Sequence, residues 1–445
     1  MAGSSLGYAK LLKHRADLGG QLGAPELREC DADMQVKVDK LVDLLRRAKH
    51  IVVFTGAGIS TSAGIPDFRG PHGVWTRQRQ GFEPPNASVQ FSQARPSFTH
   101  MALVGLHKAG KLKYLCSQNV DCLHLRSGFP RHFLAELHGN CFAEQCSRCG
   151  LEIIRDFEVL SVGFKNTGRT CTKCGGAMRD QCLDWDDALP EQELSLTERH
   201  AAKADLVLCL GTSLQITPAC DLPLRALRKQ KHKPDGGSLA IINLQETPKD
   251  GKATVVIHAP VDEVMAKCMA ALELSVPAYK RYDSLLISHT VRYELTGAEA
   301  KGILRIRLFS CHGKGCSMPW LESADVHFEH QTSPPPLCMS PPSWQVDIPL
   351  SKGWAPPSRQ CVAVVKLFFA SGSSVESDEL RYAFHLDDSP RRLDSRRFEF
   401  LTCRVDYDYA NKDVGEPSHG QTANGIKRKC AKIEKGGNII SRETF

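Results

Sequence analysis

Residues 50–60 read HIVVFTGAGIS. From His50 to Phe54 the run is apolar and rich in β-branched residues, the composition of a strand buried on both faces of a parallel sheet. It breaks into Thr55-Gly56-Ala57-Gly58-Ile59-Ser60. A strand, a glycine turn and a helix start make a phosphate-binding βα unit. Gly56, Ala57 and Gly58 would let the backbone approach a pyrophosphate, and helix-terminal N–H groups would face it. The three-glycine fingerprint is incomplete, because Thr61 stands at the third glycine. No acidic residue plainly ends a second strand about twenty residues on. On these residues alone, a turn without a ligand stays open.

Working outward, Val38, Leu41, Val42, Leu44 and Leu45 recur at helical spacing just upstream. Downstream, GIPDFRG (residues 64–70) reads as an ordered loop over a nucleotide. Arg69 is available there to a phosphate or to a surface ion pair. Trp75 is either core or the lining of a channel. A helix is expected over Phe98–Lys108, and short strands over Tyr114–Ser117 and Leu134–Leu137. Ligands of open α/β sheets sit beyond the carboxyl ends of strands. That rule puts Gln118, Asn119, Asp121 and His138 on the ligand side. His100 and His124 read as satisfied core residues. The α/β pattern resumes with a strand over 205–210 that ends in Gly211-Thr212-Ser213. Further strands follow over 238–242, ending in Asn243-Leu244-Gln245, and over 254–257, and a last helix opens at Val261. The fold class is α/β, a doubly wound parallel sheet of Rossmann type.

Cys146-x-x-Cys149 and Cys171-x-x-Cys174 interrupt this pattern, each pair followed by glycine. Two knuckles about twenty residues apart match a four-thiolate zinc ribbon. Four cysteines leave no open position, so the zinc is expected to be structural. The module spans about residues 139–184. Cys141 and Cys182 lack motif spacing and are set aside.

The 445 residues carry a formal charge of +7 and are 42% apolar. The length predicts two to four domains at roughly 100 to 200 residues each. So modest a charge does not announce a nucleic-acid binder. The 18 cysteines are dispersed, and the first twenty residues lack a signal-peptide core. Reduced thiols and a metal are therefore expected, not a secreted disulfide scaffold. No apolar run is long enough to cross a membrane. The expectation is a soluble intracellular protein.

Residues 1–30 show little pattern and read as an arm, and residues 31–278 hold the α/β domain. From 279 to 409, short alternating apolar runs separated by proline, serine and glycine predict an all-β domain, a sandwich in outline. It reads as an interaction or regulatory module. Residues 410–445 are polar and expected to be disordered. Lys427, Arg428, Lys429, Lys432 and Lys435 form a basic cluster there, either a nuclear import signal or a solvated end.

TGAGIS, GIPDFRG, QNVD, LHGN, the two Cys-x-x-Cys pairs, GTSL, NLQ and VDEV occur in this order over about residues 36–275. Together they resemble the sirtuins, NAD-dependent protein-lysine deacylases. GPHGVWT, LHLRSG, LDWDDALP and NLQETPKD are most similar to the branch holding mammalian sirtuins six and seven and their plant counterparts. The resemblance implies NAD and zinc as cofactors and an acylated protein lysine as substrate. The acyl group would pass to ADP-ribose with release of nicotinamide. It implies His138 as general base, with Gln118, Asn119 and Asp121 holding nicotinamide and its ribose. Gly56, Ala57, Gly58, Phe68, Arg69 and Trp75 would line the nucleotide loop. Gly211, Thr212, Ser213, Asn243, Leu244, Gln245 and Val261 would contact ribose and adenine. Trp185 would lie where a substrate peptide adds as a β-strand. The branch also implies histone tails as targets, association with chromatin and a nuclear location.

Cys122 departs from this pattern, since most of the branch has glycine there, as QNVDGLH. A positive φ at this position would cost a side chain on the order of 1–2 kcal/mol. The expectation is a fold that survives with weaker NAD binding or turnover. A second reading makes Cys122 an oxidisable thiol beside the cofactor. The rival functions are a Rossmann dehydrogenase, a weakened sirtuin-fold chromatin scaffold and a protein ADP-ribosyltransferase.

Overall fold

The computed structural model describes residues 5–13, 20–83, 85, 89, 91–228, 236–296, 299–312, 316–329, 336–351, 354, 360–370, 377–386 and 398–407. The chain divides into two units, residues 1–279 and 280–445. The basic cluster at 427–435 and the polar tail lie outside the described residues.

Along the first unit run helices α1 (Ser5–Leu11) and α2 (Asp31–Arg47), strand β1 (Ile51–Thr55), α3 (Val74–Arg79), α4 (Phe98–Lys108), β2 (Leu112–Ser117), α5 (Leu123–Arg126) and β3 (Leu134–Glu136). Four short strands follow: β4 (Ala143–Cys146), β5 (Glu152–Ile154), β6 (Asn166–Thr170) and β7 (Ala177–Asp180). Then come α6 (Glu191–Lys203), β8 (Leu206–Leu210), β9 (Ser238–Ile242), β10 (Val255–Ile257) and α7 (Val261–Ala271).

Six strands form one parallel sheet in the order β10-β9-β8-β1-β2-β3. The strand pleat sends alternate residues to opposite faces. Ile51 and Val53 therefore pack with Leu41 and Leu45 of α2, Leu103 and Leu106 of α4, and Val264 and Cys268 of α7. Val52 and Phe54 pack on the other face, with Ala201 of α6 and the 3₁₀ segment Ala219–Leu227. Coverage of both faces is why β1 reads as an unbroken apolar run.

The helix start expected directly after β1 is not there. Two 3₁₀ turns, Ala57–Ile59 and Thr61–Ala63, take its place. Gly64 then turns left-handed at φ 85°. With Pro66 following, the chain cannot propagate a helix. It crosses as a loop until Gly73 caps α3.

The inserted module is a four-stranded antiparallel sheet, β5-β4-β7-β6. Its core carries a buried ion cluster in which Glu144 accepts from Arg155 and Arg169, each at 2.6 Å.

The described residues of the second unit are all-β, with strands β11 (Tyr279–Thr296), β12 (Glu299–Ser310), β13 (Leu321–Phe328), β14 (Leu337–Met339), β15 (Gln345–Leu350), β16 (Gln360–Phe369), β17 (Ser377–His385) and β18 (Phe398–Tyr407). They make two four-stranded sheets, β15-β12-β11-β18 and β14-β13-β16-β17. Leu285, Ile287, Leu304 and Ile306 of one share a core with Val326, Ala363, Val365 and Phe384 of the other. That is a sandwich packed face to face. Among the described residues no helix is long and apolar enough to cross a membrane.

Candidate active site

β1 lies between β2 and β8, where the strand order reverses. Crevices form at such a switch point, outside the carboxyl ends of the strands. Here the ends of β1 and β8 touch. Gly56 N donates to Leu210 O at 3.1 Å and Gly58 N to Gly211 O at 2.9 Å. A Cβ on Gly58 would meet Gly211 Cα at 2.7 Å, and one on Gly56 would meet Gly211 O at 2.7 Å. Gly211 itself sits at φ 58°. These glycines first serve the approach of one backbone to another. A pyrophosphate is a second reason for them.

The turn after β2 knits into this seam. Gln118 N donates to Thr55 O at 3.0 Å. Asn119 Nδ2 donates to Gly56 O at 3.0 Å, and Asn119 N to Ser117 Oγ at 3.1 Å. Asp121 accepts from Ser60 Oγ at 2.7 Å and from Leu123 N at 3.0 Å. Thr212 Oγ1 donates to Gln118 Oε1 at 3.3 Å. Asn119 and Asp121 are buried. Burial raises the Asp121 pKa, and the bonds from Ser60 and Leu123 oppose the rise. Ser60, which the sequence reading left out of the site, is thus the link between the glycine turn and QNVD.

The end of β3 delivers His138 to the same place. Its Nδ1 lies 3.0 Å from the carbonyl oxygen of Gln118. A carbonyl only accepts, so Nδ1 carries the hydrogen and Nε2 presents a lone pair. Burial, with a smaller push from Arg69, lowers the His138 pKa to about 4 against the Gln118 carbonyl. The imidazole is neutral at pH 7.

The loop over the crevice is built around Asp67, whose carboxylate accepts from Gly70 N. Arg69 lies over the Trp75 ring at 4.6 Å, and burial lowers its pKa to about 10, leaving it charged. Phe68 packs tilted against Trp75 with ring centroids 4.6 Å apart, and Trp75 meets Trp185 at 5.1 Å. The two tryptophans, 110 positions apart in the numbering, therefore share one aromatic wall.

The described residues of the arm run along this wall. Tyr8 Oη donates to Leu183 O and Lys13 N to Asp184 Oδ1, the two residues that lead into Trp185. Leu22 packs on Val74 and Trp75. Gly23 N donates to Arg69 O at 2.9 Å and Leu27 N to Leu244 O at 2.7 Å. Gln245 spends its amide on Ala24 O. Asn243 Nδ2 turns to Gln245 O at 2.8 Å. Val261 is buried at the start of α7, where Asp262 ties Ser62 and Thr99 together. Ser213 is half-buried at the end of the β8 turn.

Cys122 has φ 65° and ψ 4°, the left-handed region that favours glycine. Its side chain is buried in an apolar cluster with Phe91, Leu123, Phe142 and Val162. Burial pushes the thiol up to about 12. A protonated, enclosed thiol is a poor nucleophile, which argues against Cys122 as a reactive cofactor-side cysteine.

In the inserted module the Cys146 and Cys174 sulfurs are 3.4 Å apart, and those of Cys149 and Cys171 are 3.7 Å apart. All four lie within 4.8 Å of one another. A zinc–sulfur bond of about 2.3 Å gives a tetrahedral edge of about 3.8 Å. The four thiols fit that ion. Arg148 N and Cys149 N point at Cys146 Sγ, and Lys173 N points at Cys171 Sγ. Such donors suit thiolate charge.

A family model described as Sir2 matches residues 80–218. Over 326 residues the chain is 51% identical to the NAD-dependent protein deacetylase SRT1 of Arabidopsis thaliana, covering 73% of this chain and 67% of that protein. It is 45% identical over 382 residues to the protein of the same name from Oryza sativa subsp. indica, covering 85% and 75%. It is 43% identical over 272 residues to the NAD-dependent protein deacetylase Sirt6 of Drosophila melanogaster, covering 59% and 84%.

Proposed function

The chain belongs to the Sir2 family and is an NAD-dependent protein deacetylase; from that premise we propose how its residues divide the work. The reading rests chiefly on one observation. A neutral His138 is fixed through Nδ1 on Gln118 O, in the same turn whose Asn119 and Asp121 bond Gly56 and Ser60 of the glycine turn, and so keeps its lone pair on Nε2.

NAD, when bound, supplies a ribose carbon from which nicotinamide leaves and an ADP-ribose that carries the acyl group away. Asn119 and Asp121 would hold the nicotinamide-ribose end, their side chains already fixed by Gly56 O and Ser60. Preorganised dipoles of this kind favour developing charge without reorganisation. With NAD bound, His138 Nε2 would be the group to accept a proton from a ribose hydroxyl. Its depressed pKa keeps it unprotonated and ready, at the expense of weak basicity. Arg69, held over Trp75, would meet the phosphates. Gly211, Thr212, Ser213, Asn243, Leu244 and Val261 would line the far ribose and adenine. Gln245 acts through the arm. The aromatic wall of Phe68, Trp75 and Trp185 excludes water from the acyl-lysine. Zinc holds the inserted module together and takes no step.

Histone tails are the proposed targets. Beside Trp185 the exposed Asp186 is paired only loosely, with Lys13 Nζ at 3.4 Å, and a basic peptide could compete for it. A nuclear location and chromatin association are proposed with them, supported by the branch resemblance and by the basic cluster at 427–435. The test is mass spectrometry of products from acetyl-lysine histone peptides and NAD. One nicotinamide and one O-acetyl-ADP-ribose per lysine freed are expected. Nicotinamide without freed lysine would overturn the reading.

A further inference from the structure

Two cysteines that no zinc motif claims, Cys141 and Cys182, meet with their sulfurs 3.4 Å apart. Cys141 is half-buried and Cys182 buried. Their backbones belong to the walls of the active site. Cys141 N donates to Val120 O, inside QNVD, at 2.9 Å. Leu183 N donates to His138 O at 3.1 Å. Between these bonds the two segments press so closely that a Cβ on Gly139 would come 1.7 Å from Gln181 O. The thiols thus bridge the turn that carries His138 and the segment that runs into Trp185.

We propose that Cys141 and Cys182 are a dithiol oxidation site whose disulfide clasps these two walls and slows the enzyme. When local opening exposes and deprotonates it, the thiol of Cys141, the less buried residue of the two, attacks a low-molecular-weight disulfide such as oxidised glutathione. One S–S bond breaks, a mixed disulfide forms, and one glutathione leaves as its thiol. Cys182 then displaces the second glutathione. The protein loses two hydrogens, and two glutathione thiols form. A disulfide brings the sulfurs to about 2.05 Å. The shortening falls on segments already in backbone contact, and it is transmitted to His138 and Trp185. Pairing with Cys182, and then burial, hold the Cys141 thiol well above its ordinary range. The exchange is therefore slow, on the scale of hours.

The effect on rate rests on the deacetylase reading; the cross-link does not. Full-length, zinc-loaded protein is incubated with oxidised glutathione, alkylated and mapped by peptide mass. The expected result is a peptide pair joined through Cys141 and Cys182 with unchanged zinc content. A fall of roughly tenfold or more in kcat/KM is expected, reversed by dithiothreitol. Cys182→Ser and Cys141→Ser should each keep their rate through the same treatment. Absence of the joined peptides overturns the proposal. So does an equal loss of rate in both variants, or a cross-link that leaves the rate unchanged. If the reduced protein deacetylates nothing, the functional reading fails, and the mapped cross-link still decides whether the oxidation site exists.

Discussion

His138 donates through Nδ1 to the carbonyl oxygen of Gln118 at 3.0 Å, and so the residue offered as base is oriented by the residue that opens QNVD. The bond fixes the tautomer, and burial sets the pKa near 4. The pH profile should report this. For free enzyme, kcat/KM should run flat from pH 8 to about 5.5 without an inflection near the ordinary histidine value of about 6.5. His138→Ala should lose roughly 10²- to 10⁴-fold in kcat/KM, the usual weight of a positioned base. An inflection at 6.5 that vanishes in the variant would show a histidine with ordinary basicity and refute the depressed value.

A pair of core histidines bears on stability. The His100 and His124 rings meet tilted at 51° with centroids 4.7 Å apart, both enclosed. His124 Nε2 meets Thr55 Oγ1 at 2.8 Å, while His124 Nδ1 and His100 Nε2 find no partner. Burial lowers the His124 pKa to about 3, and burial and His124 together lower that of His100. The folded values lie below the unfolded ones, so between them the unfolded chain binds more protons and stability falls as pH drops. From the His124 value of about 3 alone, the loss reaches about 2 kcal/mol by pH 5. Urea unfolding at pH 7 and pH 5 measures it. His124→Gln should lower stability at pH 7 yet shrink the difference between the two pH values; an undiminished difference would count against the assignment.

The sheet was legible because both of its faces are covered. β1, β8 and β9 are near-continuous apolar runs, and their glycine or polar ends mark the ligand side. α6 was not legible. Of its residues only Thr197 and Ala201 are buried, so no apolar stripe advertises it. The attachment of the arm was invisible for another reason. Gly23, Leu27 and Glu29 are held by their backbone N–H groups, which every sequence supplies. Cys141 and Cys182 escaped because pairing across the fold leaves no spacing signature. The helix expected after TGAGIS failed at Gly64, where a left-handed residue ended what the turn had begun.

Cys122 carries a strain that substitution can expose. At φ 65° its Cβ costs on the order of 1–2 kcal/mol, while the buried thiol recovers part of that. Cys122→Gly removes both terms, and Cys122→Ala keeps the strain while losing the sulfur. The alanine variant should therefore be less stable than the glycine variant by about 1 kcal/mol, by urea unfolding. Because the thiol lies among Phe91, Phe142 and Val162, kcat/KM for the glycine variant should stay within about threefold of the parent. Equal stability of the two variants would remove the strain from the account.

The arm is the part of the site most open to a decisive test. It touches the nucleotide loop at Arg69 O, the adenine side at Leu244 O and the approach to Trp185 at Asp184, but no residue proposed to meet the reacting atoms. Its contribution should therefore be to preorganise walls, which shows in binding rather than turnover. Gly23 sits at φ 72°, and a Cβ there would come 3.0 Å from Thr76 Cγ2. Gly23→Ala strains the bond to Arg69 O by about 1 kcal/mol, enough to raise the KM for NAD roughly fivefold with kcat nearly unchanged. Removing residues 1–28 should raise it further, roughly tenfold or more, and raise the peptide KM as well through the lost Tyr8 and Lys13 contacts. Steady-state kinetics with each substrate varied in turn separates these effects. If kcat falls while both KM values hold, the arm acts on the chemical step and the division between arm and crevice drawn from these contacts is wrong.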